Sequence, residues 1–188
     1  MALAASAGND AEASVEYLKR AIALDQRMAE PHYLLGAAYA GKRLYDQAIA
    51  EMQAALALKP DLAVARFQLG LLFLTMARIE EAATTWGFLD MLPPDHPLFL
   101  FKTGLLHLVR DEFEQAVSRL RAGVARNTEN QALNRDMQMV IDQIARKRAG
   151  VAEAPEQGET SSQHFLVSRY RKHGANRPRA GAGRPVRS

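Results

Sequence analysis

The side chains capable of chemistry in this chain are few and scattered. Of its five histidines, His32 and His107 fall at helix-packing positions, where a histidine satisfied by its neighbours is expected. Asp95-His96 falls in a loop with no partner at ligand spacing, so no metal centre is implied. Cysteine is absent, which removes disulfides, thiolate nucleophiles and thiolate zinc sites. The adjacent pair Glu80-Glu81 reads as a solvated helix start favoured by the macrodipole. Trp86 reads as core rather than as a stacking platform. No nucleophile elbow, phosphate loop, metalloprotease signature or dinucleotide fingerprint occurs, and the glycines at 181 and 183 belong to the composition of the tail. These residues support no enzyme and no cofactor; they point to binding.

The elements that must carry such binding are set by a period. Gly36, Gly70 and Gly104 stand 34 residues apart, as do Ala48, Ala82 and Ala116, and Pro60 and Pro94. A period of this length is the mark of stacked helix–turn–helix units. Apolar residues recur at three- and four-residue spacing almost throughout, so the class is all-α. The spacing predicts helix pairs at 29–41 and 45–58, 63–76 and 79–91, and 97–109 and 112–126. Asn127 to Asn130 makes a turn. An amphipathic helix at 131–148 follows, with Leu133, Met137, Val140, Ile141 and Ile144 on one stripe. Asn9 and Glu12 read as a capping box, placing the start of the first helix near Asp10 and its end near Asp25.

His32, Leu35, Gly36, Tyr39, Ala48, Met52, Ala55 and Pro60 resemble the tetratricopeptide repeat, whose pattern is Trp-x2-Leu-Gly-x2-Tyr, then Ala-x3-Phe-x2-Ala and a closing Pro. His32 and Met52 are the two departures. In the second unit, Leu69, Gly70, Ala82 and Pro94 match, while Phe73 and Trp86 keep aromatic bulk. The third keeps Gly104 and Ala116, and Thr103, His107, Gly123 and Thr128 depart. The resemblance implies a right-handed α-solenoid of such repeats with a C-terminal capping helix. By register the chain divides into a partial N-terminal repeat (1–28), repeats at 29–62, 63–96 and 97–128 (the last degenerate), a capping helix (129–148) and a disordered basic tail (149–188).

In that family the first helices of successive units line a concave groove. The resemblance places Tyr33, Phe67 and Phe101 on it, with Ala37, Leu71 and Leu105, and Ala40, Leu74 and Leu108. Glu30, Val64 and Leu98 complete the row, with Gln68 and Lys102 beside it. The groove so implied is apolar with an aromatic ladder, suited to an amphipathic helix or an extended apolar segment of a partner protein. Phe67 and Phe101 stand out as the expected anchors. Only Lys102 matches the cationic clamp that some members use for a C-terminal carboxylate, so the short apolar groove is more similar to bacterial secretion chaperones. A rival reading covers the same face with the 131–148 helix, with the tail or with a second copy in a homodimer.

Charge singles out the tail. Residues 149–188 hold seven Lys or Arg (Arg169, Arg171, Lys172, Arg177, Arg179, Arg184, Arg187) against three acids, while residues 1–148 hold 17 against 18. Contact with nucleic acid or an acidic partner through this tail is therefore the alternative function. Deletion of 150–188 would separate the two. A short apolar island, His164-Phe165-Leu166-Val167 with Tyr170, interrupts the polar composition. A detached module of a larger repeat protein is a third reading. No run of eighteen apolar residues suggests a membrane span, and the N-terminal residues make a poor signal peptide, so cytoplasmic is the default location.

Overall fold

The computed structural model describes residues 2–149, with side chains described from 12 to 149. The tail beyond, with its basic cluster and apolar island, lies outside the described residues. Eight α-helices follow one another among the described residues: α1 (Ala2–Leu24), α2 (Ala29–Gly41), α3 (Tyr45–Leu58), α4 (Ala63–Thr75), α5 (Ile79–Gly87), α6 (Pro97–Val109), α7 (Phe113–Arg126) and α8 (Gln131–Arg148). A 3₁₀ turn, Phe88–Met91, extends α5. The helices α2/α3, α4/α5 and α6/α7 form hairpins, α4 lies between α2 and α6, and α8 packs on α7. The result is an α-solenoid closed at one end by α8.

Each hairpin is built around one crossing. A Cβ added to Gly36 would lie 2.8 Å from Cγ of Met52, at Gly70 2.2 Å from Nε1 of Trp86, and at Gly104 2.8 Å from Cγ of Leu120. The glycine is therefore set by close approach: it clears the side chain standing sixteen residues later on the second helix. Ala48, Ala82 and Ala116 are wholly buried at the same crossing.

Each hairpin also turns in the same way. Arg43, Ala77 and Asp111 have φ of 60°, 60° and 61°. The next N–H groups, of Leu44, Arg78 and Glu112, donate to the carbonyls of Tyr39, Phe73 and His107 at 2.9, 2.9 and 3.0 Å. This left-handed residue with its long back-bond is the Schellman ending, which satisfies carbonyls left open at a helix end. The turn repeats every 34 residues although none of the three residues is glycine.

Two expectations are corrected. The first helix does not start at Asp10; α1 runs back to Ala2. Alanine is the strongest helix former, and Ala2, Ala4, Ala5 and Ala7 carry the helix through Gly8 and Asn9, so the proposed capping box is internal. The helix expected over 79–91 is α-helical only to Gly87 and then tightens into the 3₁₀ turn. Pro93 and Pro94 follow at once, and proline cannot extend a helix. The prolines' far side starts cleanly: Pro97 opens α6, and Nδ1 of His96 accepts from the Leu98 N–H at 3.2 Å.

Candidate protein-binding face

The first helices α2, α4 and α6 carry the residues expected to meet a partner. Their side chains divide sharply. Phe67, Phe101 and Leu105 are 0, 0 and 2% exposed, and Leu71 is 7% exposed. All four belong to one core with Trp86, Leu89, Leu120 and the inner face of α8. The Phe67 ring stacks on Trp86 at 5.7 Å and meets Phe101 at 6.2 Å. The indole N–H of Trp86 donates to the Phe67 carbonyl at 2.9 Å. Phe101 lies over Gly123, where a Cβ would stand 2.5 Å from its ring. Gly123 replaces the alanine of the pattern because this ring takes the space.

Phe67 and Phe101 are therefore core residues, and their expected role as exposed anchors does not hold. The physical reason is the size of their neighbours. Trp86 stands where the pattern has a smaller ring, and Gly123 removes a methyl, so both phenylalanines sink inward. The chain's own core side chains cover this part of the ladder.

Lys102 is likewise buried by the chain itself. Its side chain is 6% exposed, and its ammonium donates to the Asp90 carboxylate at 2.5 Å and to the Trp86 carbonyl at 3.3 Å. The 3₁₀ turn brings Asp90 to it. A buried ammonium with two partners has little left for a ligand's carboxylate.

What the stack leaves accessible is a narrower row. Ala37 is exposed, and Tyr33, Ala40, Leu74 and Leu108 are half-buried, as are Val64, Gln68 and Leu98. Glu30, exposed at the start of α2, is ion-paired to Lys59 at 3.1 Å. Burial pushes the Tyr33 phenol above its ordinary pKa, so this ring presents a neutral hydroxyl. The row is apolar at its centre and carries no excess of either charge.

His32 and His107 are each engaged by a carboxylate of their own hairpin. His32 Nδ1 lies 2.6 Å from the Glu51 carboxylate, and His107 pairs with Glu112. Among the described residues no group of three or more His, Asp or Glu is placed to hold a metal ion. No described helix is long and apolar enough to cross a membrane.

Residues 29–62 match the family model for the tetratricopeptide repeat. No curated protein matches the chain. Among solved structures, "MamA 41-end from Desulfovibrio magneticus RS-1" is similar with a TM-score of 0.53 at 17% identity, covering 86% of this chain and 82% of that one. "MamA RS-1 ArsTM double mutant" is similar with a TM-score of 0.52 at 15% identity, covering 76% and 89%. At this identity the likeness speaks for the fold. The segment 29–62 is a tetratricopeptide repeat by this match, and the chain repeats the same hairpin twice more after it, at α4/α5 and α6/α7.

Proposed function

We propose that this chain is a non-catalytic scaffold that holds a segment of a partner protein against the first helices of its repeats. The observation that carries the reading is the row Tyr33, Ala37, Leu74 and Leu108, which stays accessible on α2, α4 and α6 while Phe67, Leu71, Phe101 and Leu105 are buried. The row is apolar, so the segment it suits is the apolar face of a helix or an extended apolar strand, as a chaperone would hold it. Leu71, Leu105, Phe67 and Phe101 act beneath it as the rigid floor.

Ala37→Arg tests the proposal, because Ala37 is exposed and tolerates a larger side chain without disturbing the core. The full chain should capture a stoichiometric partner, and Ala37→Arg should weaken that capture by about 10- to 100-fold, the range of a disrupted hot spot. Circular dichroism should be unchanged. Equal capture by both proteins would reject this face as the site. Loss of salt-sensitive capture on deleting 150–188, with Ala37→Arg silent, would instead support the basic tail as the working part.

A further inference from the structure

One face of α1 has no helix over it among the described residues. Residues 11–24 stand one period before α3, so Ser14, Leu18 and Ala21 correspond to Ala48, Met52 and Ala55. In all three hairpins these positions are buried, because an antiparallel first helix crosses them. On α1 they are open. Ser14 is exposed, and Leu18 and Ala21 are half-buried. Tyr17 is 70% exposed and Leu24 89%. Ala13, Ser14, Tyr17, Leu18 and Ala21 line a shallow hollow on the surface.

The order of residues on this face says what fits it. Ser14, Tyr17, Ala21 and Leu24 follow one another at steps of three, four and three, the spacing of a coiled-coil seam. Small and large alternate along it, and they do so about a centre. When a second α1 runs antiparallel with that centre at the level of Lys19, Tyr17 meets Ala21 of the second copy and Leu24 meets its Ser14. The two-fold axis makes the other two layers the same pairs reversed. Every layer then joins a large side chain to a small one, as dense packing requires. A parallel pair would set tyrosine on tyrosine and alanine on alanine. Charge agrees with the antiparallel register. Glu16 and Arg20, both exposed, stand on one flank of the seam. The two-fold axis brings Glu16 of each copy beside Arg20 of the other.

The far end of a second copy does not fit. Gln131 stands one period after Pro97, so α8 is in register with the first helices. Gln138 then occupies the position of Gly36, Gly70 and Gly104. At Gly104 even a Cβ would come within 2.8 Å of Leu120, and a glutamine at that crossing would hold α8 away from Leu18. Head-to-tail stacking is thereby disfavoured against a closed, isologous pair.

We infer that this face of α1 is a homodimer interface, in which α1 of a second copy takes the place a first helix takes in each hairpin. Light scattering on the full chain should give twice 20.8 kDa at micromolar concentration. Ala21→Arg sets a charge in the seam and should raise the dimer dissociation constant about 100-fold. Leu24→Asp, at a residue outside the core, should act in the same direction with unchanged circular dichroism. The chain has no cysteine, so single thiols report the register. Tyr17→Cys mixed with Ala21→Cys should form a disulfide-linked dimer about tenfold faster than either variant alone. Like positions are offset by four residues, about 6 Å along the helix, which puts them beyond disulfide range. A monomer at these concentrations, or Tyr17→Cys linking to itself as fast as to Ala21→Cys, would overturn the inference. So would a dimer that both Ala21→Arg and Leu24→Asp leave intact; its loss on deleting 150–188 would then assign the contact to the tail.

Discussion

Among the described glycines, Gly70 has the closest neighbour. A methyl there would enter the Trp86 indole, at 2.2 Å from Nε1 and 2.5 Å from Cδ1, and Trp86 is wholly buried and fixed by its bond to the Phe67 carbonyl. Overpacking of this kind costs about 1–3 kcal/mol or more. Gly70→Ala should lower the urea midpoint by a margin that Gly41→Ala, where nothing lies within 4 Å, does not approach. The pair Lys102–Asp90 gives a second prediction at this scale. Asp90→Ala leaves the buried ammonium with a single carbonyl partner and should destabilise by about 1–3 kcal/mol. Lys102→Met removes the charge with the need for a partner and should be close to neutral. The reverse order in denaturant titrations would mean that the ammonium is not buried. The glycines were legible in the sequence, because a small residue at a fixed period needs a steric cause. The burial of Phe67, Phe101 and Lys102 was not. It depends on three residues distant in sequence, Trp86, Gly123 and Asp90, meeting on one side of α4 and α6.

At the scale of elements, the hairpins share a turn as well as a crossing. Arg43, Ala77 and Asp111 hold the left-handed conformation that costs a residue with a Cβ about 1 kcal/mol. Ala77 is exposed, so nothing offsets that cost through packing. Ala77→Gly should raise stability by about 0.5–1 kcal/mol in denaturant unfolding, net of glycine's greater unfolded entropy. A loss of stability would contradict the turn as described. No composition signal marks this turn, since arginine, alanine and aspartate share no turn chemistry; only the period could have found it. Helix positions were legible to within a residue or two where caps and prolines stop them, as at Pro97 and at Asn130, whose side chain accepts from the Leu133 N–H at 2.9 Å. They were misjudged where the stop was soft. Gly8 and Asn9 did not interrupt a run of alanines, and the last turn before Pro93 tightened to 3₁₀.

The whole molecule is a row of like interfaces with different ends. One end is closed by α8, whose Leu133, Met137, Val140, Ile141 and Ile144 join the main core. Asn127 and Asn134 secure the junction, with Nδ2 of Asn134 donating to the Asn127 carbonyl at 2.7 Å and Nδ2 of Asn127 to Oδ1 of Asn134 at 2.8 Å. Among the described residues the other end is α1, which packs mainly on α2. Stability in such stacks passes between neighbours, so hydrogen exchange should be fastest in α1 and slowest in α4 and α6. Uniform exchange across the helices would contradict a nearest-neighbour stack. The architecture was legible because the period runs through three successive units. The accessible row was legible only in part, since register tells which residues share a face and not how deeply each one sinks.

The central claim is that recognition uses what the stack leaves uncovered on its first helices. Hydroxyl-radical footprinting of the full chain, alone and with a captured partner, tests it most directly. The account predicts reduced oxidation at Tyr33, Leu74 and Leu108 in the complex, with no change at Met91, which is exposed on the 3₁₀ turn. Protection confined to Met91 and Phe88, with Tyr33, Leu74 and Leu108 unchanged, would contradict it.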